Sequence, residues 1–142
     1  MAVTYVDDCI FCKIIKSEAP AENIYEDDEV LCIKDIKPAS RHHYLIIPKT
    51  HIPNAKSLKA EDEPLYDKLV NTVASVCTQQ GINTSSMRTG FHWPPCNSVN
   101  HLHLHVIAPV NEMGFVHRLM FKENSFWFVS TDYVKSLFKD AR

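Results

Sequence analysis

The sequence has little of what would place it outside the ordinary globular class. No apolar run approaches the roughly 20 residues that a membrane-spanning helix needs, so no membrane partner is expected. There is no basic excess: 15 Lys and Arg stand against 17 Asp and Glu, a formal net charge of −2. That excludes the electrostatic footprint of general nucleic-acid binding. The opening MAVTYVDD has neither the basic start nor the long apolar block of a secretory signal. No internal repeat, low-complexity stretch or linker interrupts the chain. Cys9, Cys12, Cys32, Cys77 and Cys96 form an odd set, a poor disulfide framework that favours a reducing compartment. With 142 residues, 45% of them hydrophobic, one domain with its own core is expected over 1–142. A cytoplasmic protein follows, with nuclear entry left open.

Coarse patterning fills that domain. CIFCKIIKS reads as a short helix, and AENIYEDDEVLCIKDIKP as two strands around a turn at Asp27–Asp28. HHYLIIP is a strand closed by Pro48. From Ala60 to Gln80, Leu65, Leu69, Val73, Val76 and Cys77 recur at helical spacing, with Pro64 in the first turn and Gly81 as the stop. SMRTGFHW and NHLHLHVIA form a further strand pair across a Pro94–Ser98 loop. FVHRLMFKENSFWFVS has no clear pattern, and STDYVKSLFKDAR reads as a closing helix capped by Ser130 or Thr131. Strands on short turns around one long helix predict an α+β domain on an antiparallel sheet.

SVNHLHLHVIAP, from Ser98 to Pro109, is the stretch that carries chemistry. Successive strand side chains alternate between faces, so Leu102, Leu104 and Val106 go to the core and His101, His103 and His105 to the other side. Three buried imidazoles need partners for six ring nitrogens, and leaving them unpaired costs several kcal/mol. Neighbours in the row are about 6.6 Å apart and the outer pair about 13 Å, so three can hardly share one metal ion. A substrate lying along the row uses all three. Neutral imidazole attacks phosphorus readily, and its reference pKa near 6.5 suits it to work as base and acid at neutral pH.

HLHLHVI matches the signature of the histidine triad (HIT) superfamily, which this chain resembles. CIFCKII, YEDDEVLCIKDIKP and HHYLIIPKTHI resemble its N-terminal half in order and spacing. The likeness covers a core of about 9–110, leaving 111–142 as a C-terminal extension. GFHWPP, SVNHLHLHVIAPV and NSFWFVSTDYV are similar to the longer nucleotide-binding and aprataxin-like members. The resemblance implies a HIT-like fold: about five antiparallel strands, one long helix, a short N-terminal helix and a C-terminal helical tail. It also implies a purine nucleotide ligand, of the AMP or AMP-amine type, and a homodimer joined through the long helix or an edge strand.

By the same resemblance His103 is the nucleophile towards the α-phosphorus, giving a nucleotidyl-histidine that water hydrolyses. His105 binds the phosphate and helps protonate the leaving group, and Ser98 donates a hydrogen bond nearby. His101 and His43 fix tautomer and orientation. Asp35 grips the ribose hydroxyls, and Ile10, Phe11, Ile14, Ile33 and Ile36 form the slot for the base. The chain departs from the short members in its phosphate loop. Gly90 stands in place of an Asn and Cys96 in place of a Gly, while Pro94 and Pro95 offer no N–H. Asn97 or His92 is expected to replace the missing amide.

Cys9 and Cys12 form a second constellation. In some members such a pair binds a structural zinc with two histidines, whose places His51 and His101 occupy here. The plainer reading, two small packing residues on a helix, is preferred, and no cofactor is required for catalysis. The resemblance points to a hydrolase cleaving the P–N bond of adenosine phosphoramidates. The alternatives are an aprataxin-like hydrolase of 5′-adenylated DNA and a nucleotide-sensing interaction protein. The acidic balance, and the absence of cysteines after Phe128, argue against the DNA reading.

Overall fold

The computed structural model describes residues 3–140. The ends of the expected domain, including the first two residues of the N-terminal stretch and the last two of the closing helix, lie outside them. Helix α1 (Ile10–Ile15) starts at Cys9, whose sulfur accepts the Cys12 N–H. Strands β1 (Asn23–Glu26) and β2 (Val30–Lys34) follow. The Asp27 carboxylate closes their turn by accepting the N–H groups of Glu29 and Val30. Strand β3 (His42–Pro48) leads to the long helix α2 (Glu63–Gln80). Gly81 ends α2 at φ 67°, a left-handed conformation that glycine adopts without a Cβ penalty. Strands β4 (Arg88–His92) and β5 (Leu104–Ala108), helix α3 (Phe115–Met120), strand β6 (Phe128–Val129) and helix α4 (Thr131–Asp140) complete the chain. Ser130 Oγ accepts the Tyr133 N–H and so caps α4.

The strands form one antiparallel sheet in the order β1-β2-β3-β5-β4-β6. One face carries the main core: Tyr44, Ile46, Leu104 and Val106 pack against Tyr66, Leu69, Val73 and Val76 of α2 and against Val134 and Phe138 of α4. The opposite face carries two smaller clusters. Leu31, Ile33, Leu45 and Ile47 pack under Phe11 and Cys12, while Ile107 packs with Phe121 and Phe128. The histidine row runs between those two clusters.

Two expectations need correction. The sheet has six strands among the described residues, not five, because two residues of the unpatterned C-terminal segment pair with β4. Gly90 makes room for them. A Cβ there would lie 2.5 Å from the Val129 carbonyl oxygen and 2.7 Å from the Phe128 ring. The triad strand also begins later than its alternation predicts, since β5 starts at Leu104. His101 to His103 run beside the segment after β3 instead. The Leu102 N–H donates to the Ile52 carbonyl, and the His101 ring bonds the Pro48 carbonyl. Alternation of faces survives because Leu102 still enters the main core.

Candidate active site

His43 on β3, His105 on β5 and Asp35 just beyond β2 meet on the second face of the sheet. His43 Nε2 lies 2.9 Å from His105 Nδ1 and 3.3 Å from Asp35 Oδ2. The Asp35 N–H donates to the His43 carbonyl, which ties the acid to the strand it serves. The hydrogen-bond network assigns the tautomers. The Ala39 N–H donates to His43 Nδ1 at 2.9 Å, so His43 carries its proton on Nε2 and donates it to His105 Nδ1. His105 must then carry its own proton on Nε2. That nitrogen is buried and has no hydrogen-bond partner among the described residues. A donor is held ready for a group the protein does not supply.

His103 is fixed differently. Its Nδ1–H donates to the His101 carbonyl at 2.7 Å, which leaves the lone pair on Nε2. Phe11 packs edge-on against the His103 ring, with centroids 5.2 Å apart. Burial pulls His43 down to about 4, against the opposing pull of the Asp35 carboxylate. Burial lowers His103 as well, and takes His105 well below the ordinary imidazole range. All three are therefore neutral at pH 7. A nucleophile with its lone pair free and a neighbour with its N–H free is the division of labour that displacement at phosphorus requires.

The other expected residues divide. Asp35, Ser98, His43 and His105 share a cleft of about 640 Å³. Asn97 and His103 line a narrower crevice beside it. Phe11, Ile14 and Ile33 join the apolar cluster next to the row. Ile10 and Ile36 do not: they are 46% and 91% exposed, because Ile10 lies on the outer side of α1 and Ile36 beyond the end of β2. The Asn97 amide donates within its own loop, to Asn100 Oδ1 and the Val99 carbonyl. His92 lines the cleft, with its Nε2–H donated to the Met120 carbonyl.

Of the residues that roof the cleft, the sequence reading weighed only Trp127, as core, interface or an aromatic wall over the leaving group. His117, Leu119, Met120 and Phe121 line it, together with Trp127, whose indole N–H donates to the Leu119 carbonyl. These residues come from the segment without periodicity. The departure at Gly90 and the likeness of NSFWFVSTDYV to the longer members were the signals that pointed to this segment.

The Cys9, Cys12, His51 and His101 side chains also converge. Cys9 Sγ lies 3.3 Å from His101 Nδ1, Cys12 Sγ lies 3.4 Å from His51 Nδ1 and 3.5 Å from His101 Nδ1, and the two Nδ1 atoms are 3.2 Å apart. A tetrahedral zinc sets such S···N spacings at about 3.6 Å and N···N at about 3.4 Å, so the donor set fits the ion. His101 Nε2–H donates to the Pro48 carbonyl, which orients Nδ1 as a ligand lone pair. Asp35, His43 and His105 group as closely but fit a metal poorly. With His43 Nδ1 accepting the Ala39 N–H, a metal at Nε2 would require an imidazolate.

Comparison with known proteins agrees with this geometry. The family model described as scavenger mRNA decapping enzyme C-term binding matches residues 8–121. The chain is 40% identical over 131 residues to adenosine 5′-monophosphoramidase HINT3 of Xenopus tropicalis, covering 91% of this chain and 86% of that protein. It is 33% identical over 106 residues to the purine nucleoside phosphoramidase of Escherichia coli K12, covering 72% and 87%. Among solved structures, a HIT family hydrolase from Clostridium thermocellum superposes with a TM-score of 0.68 at 36% identity, covering 72% of this chain and 90% of that one.

Proposed function

The chain belongs to the histidine triad superfamily, and on that premise we propose that it hydrolyses purine nucleoside phosphoramidates of the AMP-amine type. The observation that carries the reading is the pair of opposite tautomers, His103 with a free Nε2 lone pair and His105 with a free Nε2–H. His103 Nε2 forms a bond to the α-phosphorus as the bond from phosphorus to the amine nitrogen breaks. His105 Nε2–H hydrogen-bonds that nitrogen while a proton from solvent is taken up on it, so the amine leaves neutral and His105 keeps its own proton. Water then cleaves the nucleotidyl-histidine to AMP. One proton enters with the departing amine and one leaves with the second step, so the enzyme ends as it began. The His101 carbonyl stabilises the positive charge that develops on the His103 ring. Ser98 adds a donor at the cleft wall, Asp35 takes the ribose hydroxyls, and Phe11, Ile14 and Ile33 contact the base.

A structural zinc held by Cys9, Cys12, His51 and His101 belongs to the same proposal. Its support is the convergence of four donor atoms at tetrahedral spacing, which outweighs the plain-cysteine reading of the sequence. Four protein ligands close a site, so the ion supplies rigidity beneath the triad and no chemistry. A homodimer is proposed as well, supported by large apolar side chains left exposed, Phe115 at 84% and Phe126 at 80%. Sedimentation measures it.

The deciding experiment compares AMP release from an adenosine phosphoramidate and from 5′-adenylated DNA. Turnover of the first alone is expected. Turnover of the DNA alone overturns the reading.

A further inference from the structure

Resting on that reading, we propose that Phe121, at the C-terminal end of helix α3, is a positioning residue for the His43–His105 pair. Its ring meets four imidazoles, His117 at 6.4 Å and three others more closely. It packs on His43 at 5.3 Å and 86°, on His105 at 5.0 Å and 63°, and on His92 at 4.9 Å and 49°. Phe121 is 4% exposed, so these contacts are closed to water. Phe128 buttresses it from behind, with centroids 5.4 Å apart and the planes at 85°, and itself lies against His92 and His105.

Three features of the chain serve this one ring. Gly90, directly opposite His105 in the β4–β5 register, is the position where a Cβ would drive out Phe128 and Val129. His92 Nε2–H donates to the Met120 carbonyl, fixing the backbone one residue before Phe121. Arg88 donates to the Phe121 carbonyl itself at 3.1 Å. The bare Gly90 backbone and the two aromatic rings therefore fit together: Gly90 leaves room for Phe128, and Phe128 backs Phe121 against the histidines.

The chemical consequence follows from the His105 ring. Its Nδ1 is held by the His43 N–H, but none of the described residues bonds its Nε2–H. A ring held by one hydrogen bond can still pivot about that bond. Aromatic edges packed on both imidazoles remove that freedom and exclude the water that would otherwise pair with Nε2–H. Phe121 touches no reacting atom. It acts by keeping the proton donor aimed at the leaving nitrogen.

The test separates this role from general stability. Wild type, Phe121→Ala and Phe121→Leu are assayed on an adenosine phosphoramidate, whose amine must leave protonated, and on the p-nitrophenyl ester of AMP, whose phenolate needs no proton. For Phe121→Ala, kcat on the amine substrate should fall tenfold or more, while kcat on the ester and the affinity for AMP stay within threefold. Phe121→Leu, which keeps apolar bulk, should recover part of the loss and carries the test if the alanine variant does not fold. Nitrogen-15 spectra should show His105 as a single Nε2–H tautomer in wild type and as a mixture in the variants. Equal losses on both substrates, with an unchanged His105 tautomer, overturn the proposal. If wild type cleaves no phosphoramidate, the functional reading fails instead, and the tautomer spectra still decide the role of Phe121.

Discussion

His101 and His103 are joined by a hydrogen bond from the His103 Nδ1–H to the His101 carbonyl, 2.7 Å long. The ring of the same His101 faces Cys9, Cys12 and His51, and its Nε2–H anchors to Pro48. The residue that sets the tautomer of His103, the proposed nucleophile, is thus pinned by a cluster outside the cleft.

The first prediction concerns that nucleophile. His103→Ala should lower turnover by on the order of 10³ or more while AMP affinity changes only a few-fold, because the bond to phosphorus forms only along the reaction path. Side-by-side steady-state kinetics and calorimetric titration check it. Comparable kcat in the two proteins removes His103 from the role.

Sugar recognition gives the second. Ribonucleotides should bind better than 2′-deoxy analogues by about 1.5–3 kcal/mol, the worth of a charge-assisted hydrogen bond. Asp35→Asn should shrink that difference. A deoxy penalty of unchanged size in the variant assigns the hydroxyls to another residue.

The third concerns zinc. Protein purified without a histidine tag should carry about one zinc per chain, and a strong chelator should lower its Tm, since a structural ion contributes folding free energy only while bound. His51→Ala should weaken retention of the metal. Metal-free protein whose melt ignores the chelator returns Cys9 and Cys12 to plain packing.

Stability should also depend on pH. His43 is held at about 4 in the fold and near 6.5 in the unfolded chain, so the unfolded state binds more protons between those values. Stability should therefore fall as pH drops from about 6.5 towards 4, by up to about 1.4 kcal/mol per pH unit for each histidine kept neutral by the fold. Urea midpoints at pH 7.5 and 5.0 measure this. A flat profile means that the imidazoles take up protons without cost.

Gly90→Ala supplies the last. The new methyl group would meet a backbone carbonyl at 2.5 Å and the Phe128 ring at 2.7 Å, neither of which is a flexible chain end. Overpacking of this kind costs about 1–3 kcal/mol, a loss of about 5 °C or more in Tm. An unchanged melt shows that β6 can move away without penalty.

The sequence alone determined the elements whose signals are local. Alternation in NHLHLHVIA set the faces of His103 and His105, Pro64 and Gly81 bounded the long helix, and Asp27 closed the first hairpin. The triad spacing also named the family and the residues to which roles are carried over. Tertiary structure decided the rest, because the deciding contacts join residues far apart in sequence. The Ala39 N–H and the His43 ring select the His105 tautomer across strands. Four donor atoms from three separate segments meet only when α1 lies against the turn after β3 and the start of the triad. Phe121 and the two-residue β6 have no periodic signal of their own. Their placement follows from a space that Gly90 leaves open 31 residues before Phe121, and only the folded sheet brings the two together.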